Sequence, residues 1–215
     1  MIKLFYYFLP FIALFLPSLW VNYILKKYNK ILPEMPFTGR ELGKKILEEE
    51  KITNVSINPI QQLDHYNPKE KKIHIATDKL DKKSITSIAV VAHEIGHAIQ
   101  DKEKYKPLIL RQSLIEKTMI FQRIGSFLLI IGLPSIFAFT KSPFITLIAA
   151  IIIMGCLSTN VLIHLITLPV EFDASFKRAL PILKRYVPKE NMYQCKSVLR
   201  AAALTYLAQS IVSIF

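Results

Sequence analysis

Hydrophobic and polar positions are arranged along this chain in three different ways, and each predicts a different kind of element. Residues 5–24 form one charge-free apolar run of about 20 positions, long enough to cross a bilayer core. Two more runs, 124–140 and 143–170, flank a short turn that holds Lys141. The final run, 201–215, is shorter and weaker, and reads equally as a span or as a packing helix. Between the first and second runs the periodicity changes. Thr38-Gly39-Arg40-Glu41 has the form of a capping box, and Leu42, Ile46 and Leu47 follow at helical spacing, which predicts a helix to about Glu50. Val55-Ser56-Ile57 and Lys72-Ile73-His74-Ile75 alternate as short strands do, and are expected to pair. Between them Asp64-His65-Tyr66-Asn67-Pro68 reads as a turn-forming cluster. Residues 84–100 read as an apolar helix with polar ends, and 107–123 as a helix that runs into the second apolar run.

Composition turns these runs into a membrane expectation. Of 215 residues, 52% are hydrophobic, and the mean hydropathy of +0.33 is too high for an ordinary soluble domain. Lys26-Lys27 follow the first run where a cleaved leader would carry small residues, so an uncleaved anchor is expected. Basic residues flank the runs unevenly. They are dense at 26–30, 102–123 and 177–185, whereas Lys141 stands alone in the turn between runs two and three. The positive-inside bias therefore places 26–123 and 171–200 in the cytoplasm. The formal charge of +12 reads as a basic face against anionic headgroups, not as a nucleic-acid surface, because no RNA-binding motif or interleaved aromatics accompany it. Cys156 and Cys195 make neither a disulfide framework nor a CxxC site.

The expected organisation is a mostly α (α+β) membrane-embedded unit with three to four transmembrane helices and a small β-hairpin or sheet. Its parts are an anchor (1–25), a cytoplasmic core (26–123), a transmembrane hairpin (124–170), a cytoplasmic segment (171–200) and a C-terminal apolar helix (201–215), all forming one integrated unit.

The chemistry concentrates in Ala92-His93-Glu94-Ile95-Gly96-His97. Positions i and i+4 of a helix share a face, so His93 and His97 can offer two imidazoles to one metal ion. Glu94 stands beside them, where it can take a proton from a zinc-activated water without being a ligand. Gly96 removes a side chain where another segment must come close. Tetrahedral zinc needs a third protein ligand and keeps the fourth place for water. Glu171, Asp173, His164, His65 and His74 are the candidates. Glu171 returns to the cytoplasmic side after the hairpin, and a carboxylate at a membrane exit wants a partner. As an interfacial acid at a helix start it reads equally well. Asp173 is a candidate for orienting a ligand or pairing with Lys177, and His164 for a buried donor or an interhelical contact. Tyr66, His74 and Arg178 are candidate donors to a tetrahedral oxyanion.

The segments VVAHEIGHAIQ, TGRELGKKILEEE, LDHYNP and TLPVEFDAS together resemble the YugP-like neutral zinc metallopeptidases, bacterial membrane proteases more distantly akin to the HtpX-like proteases. The resemblance runs from about Pro36 to Ala179. It implies one zinc ion held by His93, His97 and Glu171, with Glu94 as catalytic acid/base. It also implies a gluzincin-like endopeptidase of the bacterial cell membrane, acting on protein or peptide substrates at the membrane. Two departures stand out: Asp173 occupies a place where Asn is more usual, and Ser175 one where HtpX-like proteins carry Asp, so no supporting role transfers to Ser175. Two rival readings are an intramembrane site-2-type protease, which an LDG-like motif would mark and this chain lacks, and a catalytically silent zinc-stabilised scaffold.

Overall fold

A computed structural model describes residues 16–61 and 63–213, apart from the side chains of residues 122, 157–162, 164, 165 and 206–213. Most of the expected N-terminal run therefore lies outside the described residues, as does the side chain of His164.

The protein is mostly helical with one small sheet. Helix α1 covers residues 16–27 and is tied at its end to the helix that carries the histidines. The Thr86 hydroxyl donates to the Leu25 carbonyl at 2.8 Å, and the Thr86 amide to the Tyr28 carbonyl at 3.1 Å. Helix α2 (Gly39–Glu49) begins with the expected capping box. Thr38 Oγ1 accepts from the Glu41 amide, and the Glu41 carboxylate accepts from the Thr38 amide at 2.8 Å. Its stripe of Leu42, Ile46 and Leu47 is buried.

The sheet differs from the expectation in one respect. Strands β1 (Ser56–Ile60) and β3 (Lys72–Ala76) pair in parallel, and a third strand, β2 (His65–Asn67), pairs antiparallel with β3, giving the order β1-β3-β2. Three of the five residues of the supposed turn cluster are thus strand. The reversal comes later, where Asn67 Oδ1 accepts from the amides of Lys69 and Glu70, and Lys71 takes a positive φ of 53°. The short α3 (Thr77–Leu80) follows the sheet.

Helix α4 (Ile85–Lys102) is the axis of the core: every residue from Ile85 to Gln100 is buried. Ser84 caps it through the Ser87 amide. Against it pack α2, β2, β3 and the later helices. From Lys106 to Thr140 the chain is one helix of 35 residues, made of α5 (Lys106–Phe127), a π-helical turn (Leu128–Gly132) and α6 (Leu133–Thr140). Pro134 lacks an amide proton and its ring would crowd the carbonyl four residues back, so the widened turn before it has a steric cause. Helix α7 (Pro143–Phe172) returns alongside α5.

Among the described residues, Lys106–Thr140 is long and apolar enough to cross a bilayer, and Pro143–Cys156 is a shorter apolar helix. This pair presents large exposed apolar side chains, among them Ile130 (72% exposed), Phe139 (90%) and Phe144 (70%). A second π-helical stretch, Asp173–Ala179, continues α7 and leads into α8 (Leu180–Tyr186). Helix α9 (Met192–Ser213) closes the chain, with Cys195, Val198, Leu199 and Ala201–Ala203 buried against the core.

Candidate metal centre

The site forms where α4 crosses the junction between α7 and its π-helical continuation. A Cβ on Gly96 would lie 2.6 Å from the Ala174 carbonyl oxygen. The two segments touch there because Gly96 has no side chain, which is the close approach that the sequence anticipated. The contact brings Glu171, 74 residues downstream of His97, onto the histidine face. Glu171 Oε2 lies 3.1 Å from His93 Nε2 and 3.2 Å from His97 Nε2. One donor atom from each of the three side chains lies within 4.8 Å of the others, and all three residues are buried.

The histidine tautomers follow from what their other nitrogens touch. His93 Nδ1–H donates to Ser175 Oγ at 2.8 Å, since the Ser175 hydroxyl itself donates to the Leu199 carbonyl at 3.0 Å. His97 Nδ1–H donates to Gln100 Oε1 at 2.9 Å. The amide nitrogen of Gln100 donates in turn to the Val170 carbonyl at 2.9 Å and to Asp173 Oδ2 at 2.8 Å. Both imidazoles thus spend their proton outward and turn an Nε2 lone pair inward. Two lone pairs and a carboxylate oxygen then face one another among buried side chains. That arrangement is repulsive unless a cation sits among them, and the N,N,O donor set suits zinc.

Charge around the site is matched to this arrangement. Burial by itself would raise the pKa of Glu171, but in metal-free protein the two imidazoles, when they carry a proton on Nε2, outweigh it and hold the carboxyl well below the usual carboxylate range. Its second oxygen, Oε1, lies 3.1 Å from the Arg111 guanidinium, which reaches in from α5. Glu94 is the opposite case. Burial pushes it up to about 7, with His93 opposing and Glu171 and Asp64 adding to the rise. Among the described residues its Oε2 has no hydrogen-bond partner. Glu94 and His93 line a cavity of about 280 Å³, together with residues of α1, the loop before β2, α3 and α9.

The remaining candidates fall into distinct places. Asp173 is buried and reaches His97 only through Gln100. It also accepts from Arg178 Nε at 2.7 Å, while Lys177 stands off at 3.8 Å. Arg178 bridges Asp173 and Glu103 (2.7 Å) and lines a separate surface depression, not the cavity beside Glu94. The Tyr66 hydroxyl donates to Asp101 at 2.5 Å. His65 and His74 are cross-strand neighbours that stack at 4.8 Å, and of the two only His65 lines the cavity. Neither belongs to the cluster with His93 and His97.

Three contributors went unassigned in the sequence. Gln100 had a visible signal, three residues after His97 on the same helix. Ser175 had a weaker one, four residues after Glu171, and the departure from the HtpX-like pattern argued against it. Arg111 was legible only as one of many flanking basic residues.

Two histidines on a buried helix and a glutamate from a returning helix thus form a possible metal site. Over residues 3–215 the chain matches the family described as "Putative neutral zinc metallopeptidase", and it belongs to that family. It is 31% identical over 205 residues to the "Putative membrane protease YugP" of Bacillus subtilis (strain 168), covering 92% of this chain and 87% of that one. No solved structure matches it.

Proposed function

We propose that the protein is a membrane-anchored zinc endopeptidase whose site faces the cytoplasm. The observation that carries this reading is the meeting of His93 Nε2, His97 Nε2 and Glu171 Oε2, with the buried Glu94 carboxyl close to His93 and Glu171. His93, His97 and Glu171 would hold one zinc ion, which when bound supplies a Lewis acid for the scissile carbonyl and makes a water acidic. Ser175 and Gln100 keep the imidazole lone pairs inward, and Arg111 holds the far oxygen of Glu171. Glu94, beside the histidines and not one of the three ligands, accepts the proton of the attacking water and hands it to the leaving amine. The outer edge of β2, which pairs with no other strand among the described residues, is suited to receive substrate backbone as one more strand.

For the membrane, the support is the 35-residue apolar helix, the large apolar side chains exposed on it and on α7, and the relative's name. In this reading residues 1–25 anchor the chain, 124–170 span out and back, and the zinc-holding parts, 26–123 and 171–200, lie on the basic cytoplasmic side.

The test is hydrolysis of an unfolded reporter such as casein by purified, zinc-loaded protein. Cleavage that phenanthroline stops and Glu94→Gln abolishes, with zinc content retained, is the expected result. Full activity in Glu94→Gln, or no cleavage across a broad panel of membrane and soluble proteins, would refute the reading.

A further inference from the structure

The cavity beside Glu94 has an unusual pair of walls. One side is α4 and the loop that leads into β2; the other is built by α1 and α9, which come from the two terminal apolar runs. In the charge-free run 5–24, apart from tyrosine and tryptophan, the polar side chains are Ser18 and Asn22. They stand at i and i+4, on one face of α1, and both line the cavity. Leu19, Trp20 and Tyr23 are exposed and lie off the cavity, Asn22 is exposed as well but lines it, and Val21 and Ile24 pack into the core. From α9, Ala202 and Thr205 complete the same wall. Polar side chains on the cavity face of α1 and α9 give this otherwise apolar wall hydrogen-bonding capacity.

The size of the cavity limits what enters. About 280 Å³ is at the low end for a ligand pocket, room for a side chain or two of an extended chain and not for a helix. Building on the peptidase reading above, we propose that Ser18, Asn22 and Thr205 contact the substrate. The substrate is the extended segment that directly flanks the span of a membrane-anchored polypeptide, led to Glu94 along the α1–α9 wall. The anchor helix is then part of the specificity machinery. Its hydroxyl and amide groups supply hydrogen bonds to a backbone that has left the helix and not yet reached water.

The test uses full-length protein in phospholipid vesicles and two reporters. One is an apolar helix of about 20 residues followed by a short Ala/Leu/Ser tail, and the other is the tail alone. With zinc-loaded protein, the anchored reporter is expected to show a kcat/KM about tenfold or more above that of the tail alone. Asn22→Leu should raise KM for the anchored reporter about fivefold while kcat stays within about twofold, and Ser18→Val should act likewise; Leu19→Ala, on the outward face, should change neither. Equal rates on the two reporters, or a kcat loss with KM unmoved, would overturn the proposal.

Occupancy is read without turnover in Glu94→Gln protein lacking Cys156 and Cys195. Asn22→Cys and Thr205→Cys should form disulfides with a reporter bearing one cysteine in its tail, and Leu19→Cys should not. Crosslinking at 22 with no cleavage of either reporter would sink the peptidase reading and leave this route standing. Cleavage with equal crosslinking at 19 and 22 would do the reverse.

Discussion

His93 donates a hydrogen bond from Nδ1–H to Ser175 Oγ, 82 residues further along the chain, at 2.8 Å, and the Ser175 hydroxyl donates its own to the carbonyl of Leu199. Through this relay helix α9, remote in sequence from both histidines, sets the direction in which a candidate ligand points. Gln100 does the same for His97 and draws on Asp173 and Val170.

Removing either relay should loosen the metal without removing a ligand. Ser175→Ala and Gln100→Leu are each expected to weaken zinc binding about 10- to 100-fold, read by competition with a chromophoric chelator. Unchanged affinity in both variants would mean that the tautomers are set by something else.

Gly96→Ala places a methyl group 2.6 Å from the Ala174 carbonyl, a backbone atom that cannot swing aside. The helices must separate, at a cost of about 1–3 kcal/mol in stability. The expected result is a lower melting temperature together with weaker zinc binding, because the same displacement carries Glu171 away from His93 and His97. A variant that melts and binds zinc as the parent does would contradict the geometry.

Arg111 supplies positive charge to the buried Glu171 carboxylate from 3.1 Å. Truncating it as Arg111→Met leaves that charge short of a partner, a loss of about 3–5 kcal/mol for a buried pair. Bound zinc restores positive charge at the same carboxylate. The melting temperature should therefore fall further in metal-free protein than in zinc-loaded protein, and equal falls would refute this role.

The metal-free protein should also lose stability as pH rises toward neutrality. Glu94 is raised in the folded state from 4.5 to about 7, so between those values the unfolded chain ionises and the folded one does not. The unfolded state is then favoured progressively, by about 3 kcal/mol once pH passes the folded value. Glu171 acts with the other sign. Its lowered pKa contributes stability that is complete above about 4.5 and lost as pH falls. Melting curves of metal-free protein should thus decline from about pH 5 to 8, and Glu94→Gln should flatten that decline. An unchanged slope in the variant would assign the decline to other groups.

The chain by itself determined whatever depends on neighbours within a turn or two. The capping box of α2, its Leu42–Ile46–Leu47 stripe, the i,i+4 pair of His93 and His97, and the open contact at Gly96 are local relations carried by adjacent side chains. The three-stranded sheet was legible only in part. Asp64–Pro68 has turn chemistry, yet β3 offered His65–Asn67 a free edge, and pairing with it outweighed local preference.

Tertiary structure alone decided which distant groups meet. From sequence, Glu171, Asp173, His164, His65 and His74 were all open as partners for the histidines, and nothing local distinguishes acids two residues apart. The crossing of α4 over Ala174 turns Glu171 toward His93 and His97 and leaves Asp173 facing Gln100 and Arg178. That choice depends on the angle and distance at which two helices pack. These in turn follow from the summed shape of many buried side chains, which a reading of neighbouring residues does not contain.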